Sequence, residues 1–119
     1  MLEAVMSELE VIQVEAQLAD AVCKFHREQQ GRGPESIQAR LLPDMAIVRT
    51  GGIFTPTEKT LCGSDEGRKL IQSARREQRA LTRREAEHRV SRVLSRPVLR
   101  SYYDLDVRLG EQVEVYILG

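Results

Sequence analysis

Tryptophan is absent from this chain of 119 residues, and aromatic side chains make up only 4% of it. A stacking platform for single-stranded nucleic acid is therefore thinly supplied. The core must be built from Leu, Ile, Val and Ala. Net charge is absent too, because 18 basic residues balance 18 acidic ones. A neutral chain does not steer a polyanion from a distance. Cysteine is scarce: Cys23 and Cys62 stand far apart and match no zinc or thioredoxin spacing. Reduced thiols, no metal and no cofactor are expected. No stretch approaches the roughly 20 apolar residues of a membrane span. Met1-Leu2-Glu3-Ala4-Val5 carries an acid where a signal peptide needs a base. The expectation is a soluble cytoplasmic protein, able to serve a membrane complex from the inside.

What is present suits one domain over residues 1–119, with enough apolar residues (41%) for a modest core. The charges are segregated. Residues 1–30 hold Glu3, Glu8, Glu10, Glu15, Asp20 and Glu28 against Lys24 and Arg27. Residues 65–96 hold nine Arg and one Lys against five acids.

Residues 2–29 contain no Pro or Gly, and Gly31 with Pro34 gives a stop, so they read as one long helix. It carries two apolar stripes. One is Val11, Val14, Leu18, Val22, Phe25. The other is Leu2, Val5, Leu9, Ile12, Ala16, Ala19, Cys23, a heptad seam whose small residues permit close approach. A lone small domain needs one buried stripe per surface helix. The second stripe therefore predicts a homodimer through Leu9, Ile12, Ala16 and Ala19, or else packing on another helix of the same chain.

Ile37, Ala39 and Leu41 alternate with polar residues and predict a strand; Pro43-Asp44 is a turn, and Met45–Thr50 the return strand. Thr55-Pro56-Thr57-Glu58 is a capping box that opens a short helix. Ser64 caps a long basic helix in which Leu70, Ile71, Ala74 and Leu81 share one face, and Ala86, Val90, Val93 and Leu94 another. Thr82-Arg83-Arg84-Glu85 resembles a second capping box at the phase change. Either the helix kinks near Thr82, or it continues with its halves packed on different partners. Leu99, Tyr103, Leu105, Val107 and Leu109 then alternate on a strand, Gly110-Glu111-Gln112 turns, and Val113, Val115 and Ile117 face inward on the last strand. Adjacent Tyr102 and Tyr103 must point to opposite sides. The expected class is α+β, in the order α-β-β-α-β-β, with a four-stranded antiparallel sheet and two long helices on one face.

Chemistry is sparsely marked. Gly31-Arg32-Gly33-Pro34 lacks the length and Lys-Ser/Thr of a phosphate-binding loop, and it lies at a helix C-terminus, where the dipole repels anions. It is either a helix stop or, through Arg32, a small-anion site. Thr55 and Glu58 form a capped connector, and Glu58 is free to meet an Arg of the basic helix. Arg75, Arg76, Arg79 and Arg83 form one group and Arg89, Arg92 and Arg96 another; these are solvated or paired faces, an acidic or anionic contact, or a nucleic-acid contact. His26 and His88 have no partner at metal-ligand spacing and read as surface histidines. No Ser-His-Asp or Cys-His arrangement is apparent, which favours a non-enzymatic role.

The glycine-arginine-glycine-proline string, the hairpin, Phe54-Thr55-Pro56-Thr57-Glu58-Lys59-Thr60-Leu61, then Glu66-Gly67-Arg68 with Arg75 and the closing strands together resemble the MpsC-like family of small bacterial and archaeal proteins. The likeness covers roughly residues 15–118. It implies a cytoplasmic accessory or regulatory partner of a sodium-translocating, membrane-potential-generating system linked to bicarbonate uptake, within a membrane transport complex. It carries over no catalytic residue. The matching positions are Gly31, Arg32, Gly33, Pro34, Thr55, Glu58, Leu61, Gly67 and Arg75. The chain departs from the family in its Arg-rich central helix and in Ser95-Arg96-Pro97, where the family has a Thr-Gly turn. Arg32, Glu58 and Arg75 are the leading ligand or partner residues; a small-anion or nucleotide sensor and a nucleic-acid binder are the alternatives.

Overall fold

Ser7 starts the first helix. Its hydroxyl accepts the Glu10 N–H at 3.2 Å while the Glu10 carboxylate reaches back to the Ser7 N–H, a full capping box. The computed structural model describes residues 6–119, so Leu2 and Val5 of the predicted stripe lie outside the described residues. The elements are α1 (Glu8–Gln30), β1 (Ser36–Leu41), β2 (Met45–Gly51), α2 (Pro56–Leu61), α3 (Asp65–Leu94), β3 (Val98–Asp106) and β4 (Glu111–Leu118). Of the helix expected from residue 2, the described part begins at Glu8, capped by Ser7. Gly31 ends it in the left-handed region, φ 78°, its N–H closing on the Arg27 carbonyl at 2.9 Å.

The strands form one antiparallel sheet in the order β1-β2-β4-β3. Both long helices cover the same face, α1 over β1 and α3 over β3, as the α+β pattern predicts. Of the two stripes on α1, the one containing Leu18 and Val22 enters the core. Leu9 and Ile12 stay 64% and 60% exposed, Ala16 is exposed, and Ala19 packs against the core instead.

α3 runs unbroken for 30 residues. The second capping box does not form: the Thr82 hydroxyl donates to the Gln78 carbonyl at 2.9 Å, within the helix. Leu70 (55%) and Leu81 (77%) point to solvent, and Ile71 alone of its predicted group is buried. The inward face is Gly67, Ile71, Arg75, Ala86 and Val90. Steps of four, with one of eleven (about three turns) from Arg75 to Ala86, keep it in phase once Arg75 is counted as a core position.

Two other expectations fail for related reasons. On β4 the inward residues are Gln112, Glu114, Tyr116 and Leu118, not Val113, Val115 and Ile117. The turn before it spans Val107 to Gly110, where the Asp106 carboxylate accepts the N–H groups of Arg108 and Leu109, each at 3.0 Å, leaving Leu109 exposed. A register shift between Val98 and Arg100 turns Val98 inward and Leu99 outward. Tyr103 faces in and Tyr102 out, as expected.

The core falls into two apolar clusters. One gathers Leu18, Val22, Ala39, Val48, Val90 and Tyr116; the other gathers Ile53, Phe54, Ile71 and Leu105. Burial of each large aliphatic side chain contributes about 1.5–3 kcal/mol. Between α2 and α3 the backbones nearly touch at Gly67, where an added Cβ would lie 1.8 Å from the Leu61 carbonyl oxygen. That oxygen belongs to backbone and cannot swing aside. Gly67→Ala is expected to cost about 1–3 kcal/mol by overpacking, read as a lower midpoint in urea unfolding with an unchanged slope; an unchanged midpoint would contradict the close approach.

Candidate functional site

The residues that the sequence marks out do meet. They converge on the connector 52–58, which runs from the end of β2 into α2. Arg32 Nη1 donates to the Phe54 carbonyl at 3.1 Å, and Arg75 Nη2 to the Ile53 carbonyl at 2.7 Å. Arg75 also grips the Glu58 carboxylate with two parallel bonds, Nε to Oε2 at 2.7 Å and Nη2 to Oε1 at 2.6 Å. Glu58 in turn accepts the Thr55 N–H at 3.0 Å, and the Thr55 hydroxyl accepts the Glu58 N–H at 3.2 Å. Glu58 thus joins a helix cap to a buried arginine. The fork of a guanidinium matches a carboxylate in a way that lysine cannot. Gly31 and Gly33 bring the chain round to this point, Gly33 resting against Cys23 Sγ and Pro34 leading into β1.

Arg75 is 4% exposed, and its guanidinium also lies over the Phe54 ring at 6.0 Å. Burial alone would raise the Glu58 carboxyl; the Arg75 bonds and the Thr55 N–H hold it below its ordinary value. The structure therefore gives Glu58 the arginine partner that the sequence left open. Arg32 keeps its side chain one-third exposed, with Glu35 at 3.8 Å as a loose counter-charge, itself 4.0 Å from Lys59.

One turn further along α3, Arg79 repeats the pattern. Its Nη1 donates to the buried Glu114 of β4 at 2.8 Å, and it lies between the Tyr103 and Tyr116 rings, 5.6 Å from each. The Tyr116 hydroxyl donates to the same carboxylate, and Gln112 Nε2 donates to its other oxygen at 3.3 Å. Burial raises the Tyr116 hydroxyl well above its ordinary value, and raises that of Tyr103 to about 12. These hydroxyls stay protonated.

The arginines grouped along α3 are thus divided. Arg75 and Arg79 enter the interior, Arg76 stands 3.6 Å from Asp104 at the sheet edge, and Arg83 is exposed. In the second group Arg89 pairs with Glu28 of α1 at 2.7 Å, and Arg96 donates to the Pro43 and Gly119 carbonyls.

His26 is not the surface histidine that its spacing suggests. It is 6% exposed and sits on α1 against the Arg32 carbonyl, 2.9 Å from its Nδ1. Facing a carbonyl, Nδ1 must carry the proton, which leaves Nε2 a bare acceptor in the neutral ring. Nε2 and Thr50 Oγ1 are the buried side-chain polar atoms without a hydrogen-bond partner among the described residues. A cavity of about 50 Å³ opens beside His26, lined also by Arg75, Gln78, Arg79, Tyr103 and Glu114. Its volume admits water or a small polar molecule. Its cations Arg75 and Arg79 already hold carboxylates. Among the described residues no group of His, Cys, Asp and Glu is placed to hold a metal ion. The sequence gives no sign that His26, Arg79, Gln112 and Glu114 lie in the interior, because each polar residue stands where apolar periodicity has a gap.

Residues 11–119 match the profile of a family described as the Na+-translocating membrane potential-generating system, MpsC. The chain belongs to this family. It is also 30% identical over 105 residues to a Bacillus subtilis (strain 168) protein described as "Uncharacterized protein YbcI", covering 88% of this chain and 85% of the relative. No solved structure matches it. In this MpsC member, among the described residues, no helix is long and apolar enough to cross a membrane.

Two measurements check the site. Arg75→Met strands Glu58 without its buried partner and is expected to cost about 3–5 kcal/mol, with Arg75→Lys recovering only part, since lysine lacks the fork; full recovery by lysine would contradict the bidentate role. Burial is the first cause holding the His26 pKa below its ordinary 6.5, outweighing the Arg32 carbonyl that raises it. The unfolded chain then binds more protons between the two values. The stability that His26 contributes is complete above pH 6.5 and is lost as pH falls from there through the lowered folded value. His26→Gln should flatten that slope in chemical unfolding between pH 7.5 and 5.5; an unchanged slope would contradict the burial argument.

Proposed function

We propose that this chain is a non-enzymatic accessory or regulatory component of a membrane-potential-generating system, acting from the cytoplasmic side through contacts with its partners. The observation that carries the reading is the match of residues 11–119 to a family named for such a system, in a chain with no described helix able to cross a membrane. A component of that kind must work by docking. Its exposed apolar side chains Leu9, Ile12, Leu70 and Leu81 offer surface for it. The interior supports the non-enzymatic part. Arg75 and Arg79 are committed to Glu58 and Glu114, and Tyr103 and Tyr116 are pushed away from ionisation. Groups paired this way are committed to holding the fold together.

Deletion of the coding sequence in its host is expected to lower sodium-dependent membrane potential, followed with a potential-sensitive dye, and the wild-type chain supplied in trans to restore it. A potential that is the same with and without the chain overturns the proposal.

A further inference from the structure

The helices cover one face of the sheet and, among the described residues, leave the other bare. On that face the central strands β2 and β4 present Met45, Ile47, Val113, Val115 and Ile117, all half-buried, with Tyr102 of β3 exposed at 56%. Ile47 pairs across the sheet with Val115, and Val115 with Tyr102, so the apolar residues form a continuous band. The face is also polarised. Arg40 and Arg49 stand on the β1–β2 half; Asp104, Asp106 and Glu111 stand on the β3–β4 half. Arg100, which donates to the Tyr102 hydroxyl at 3.0 Å, lies at the far end of β3 beside Ile117.

We infer that this bare face is a homodimer interface, in which the sheets of two copies pack face to face as an aligned sandwich about 10 Å apart. Hydrophobic content alone does not name the occupant; the charge pattern does. A two-fold axis in the plane of the interface has two simple settings. Set across the strands, it lays the basic half of one copy over the basic half of the other. Set along the strands, it lays β2 over β4 and β1 over β3 of the second copy. Ile47 then meets Val115 and Met45 meets Ile117, which closes the band. Arg49 of one copy stands over Val113 of the other, between Asp104 and Glu111. Arg40 stands over the Tyr102 ring, where a guanidinium is attracted to the aromatic face. Each contact occurs twice, as a self-complementary interface requires.

This interface differs from the one expected along α1. There the exposed Leu9 and Ile12 are flanked by Glu8, Glu10, Glu15 and Asp20, so two copies of α1 would bring acid against acid.

Light scattering of the full chain at high micromolar concentration tests the inference. The wild type is expected to be a dimer, and Val115→Glu a monomer with unchanged far-ultraviolet circular dichroism. Arg49→Asp is expected to weaken the dimer about tenfold or more, with Glu111→Arg added to it restoring association. A wild-type monomer overturns the inference, as does a dimer that survives Val115→Glu or is broken by Ile12→Glu on α1. If Val115→Glu unfolds, the exposed charge pair decides: failure of Glu111→Arg to restore association is then the contradicting result.

Discussion

Two arginines of α3 reach inward, and each closes on a buried carboxylate. Arg75 holds Glu58 and Arg79 holds Glu114, with side-chain exposures of 4% and 14% in the first pair and 12% and 5% in the second. A charge taken out of water is costly unless its partner is present with good geometry. The rest of the structure meets that demand. α3 can take only the rotation that aims both guanidiniums at the sheet, and β4 only the phase that turns Glu114 up to meet them. α2 is drawn in by Glu58, close enough that Gly67 has no room for a side chain. Apolar packing supplies the driving force on either side of this layer, in the two clusters. The layer fixes which packing it is. Buried polar groups can specify an arrangement without adding to stability, and here their bonds run between elements distant in sequence.

The same layer explains what was legible in the sequence. Local signals were read well: the Thr55–Glu58 capping box, the Ser64 cap, the Gly31 stop and the hairpin turn at Pro43 all act over a few residues, and all are present. The order of elements followed from them. Ser7-Glu8-Leu9-Glu10 carries the same capping signal, hidden within an unbroken apolar pattern. Facing was read badly wherever the interior is polar. The apparent phase change in α3 comes from leaving Arg75 and Arg79 out of the inward face, and the inverted facing of β4 from placing Gln112 in the turn and the valines inward. An apolar pattern locates the core only where the core is apolar. Glu58 and Arg75 were named together because both lie in the strings that carry the family resemblance, but their 2.6 Å contact belongs to tertiary structure.

The inversion of β4 has a consequence for function. Because its polar residues face in, Val113, Val115 and Ile117 face out on the side of the sheet that no described helix covers. The proposed docking role needs surfaces for partners, and the register that completes the charged layer leaves an apolar one on this strand. The exposed leucines of α1 and α3 supply others. The glycine-arginine-glycine-proline string serves as a hinge-post: Arg32 holds Phe54 with its side chain and His26 with its carbonyl. Motif and interior are thereby one network.

A double-mutant cycle between Arg79 and Glu114, using Arg79→Met and Glu114→Gln in equilibrium unfolding, reaches the central claim most directly. If the buried layer specifies the fold, the two changes are strongly coupled, with an interaction energy of about 1–3 kcal/mol. Additivity to within about 0.5 kcal/mol would mean that the two groups do not depend on each other, and would contradict the account.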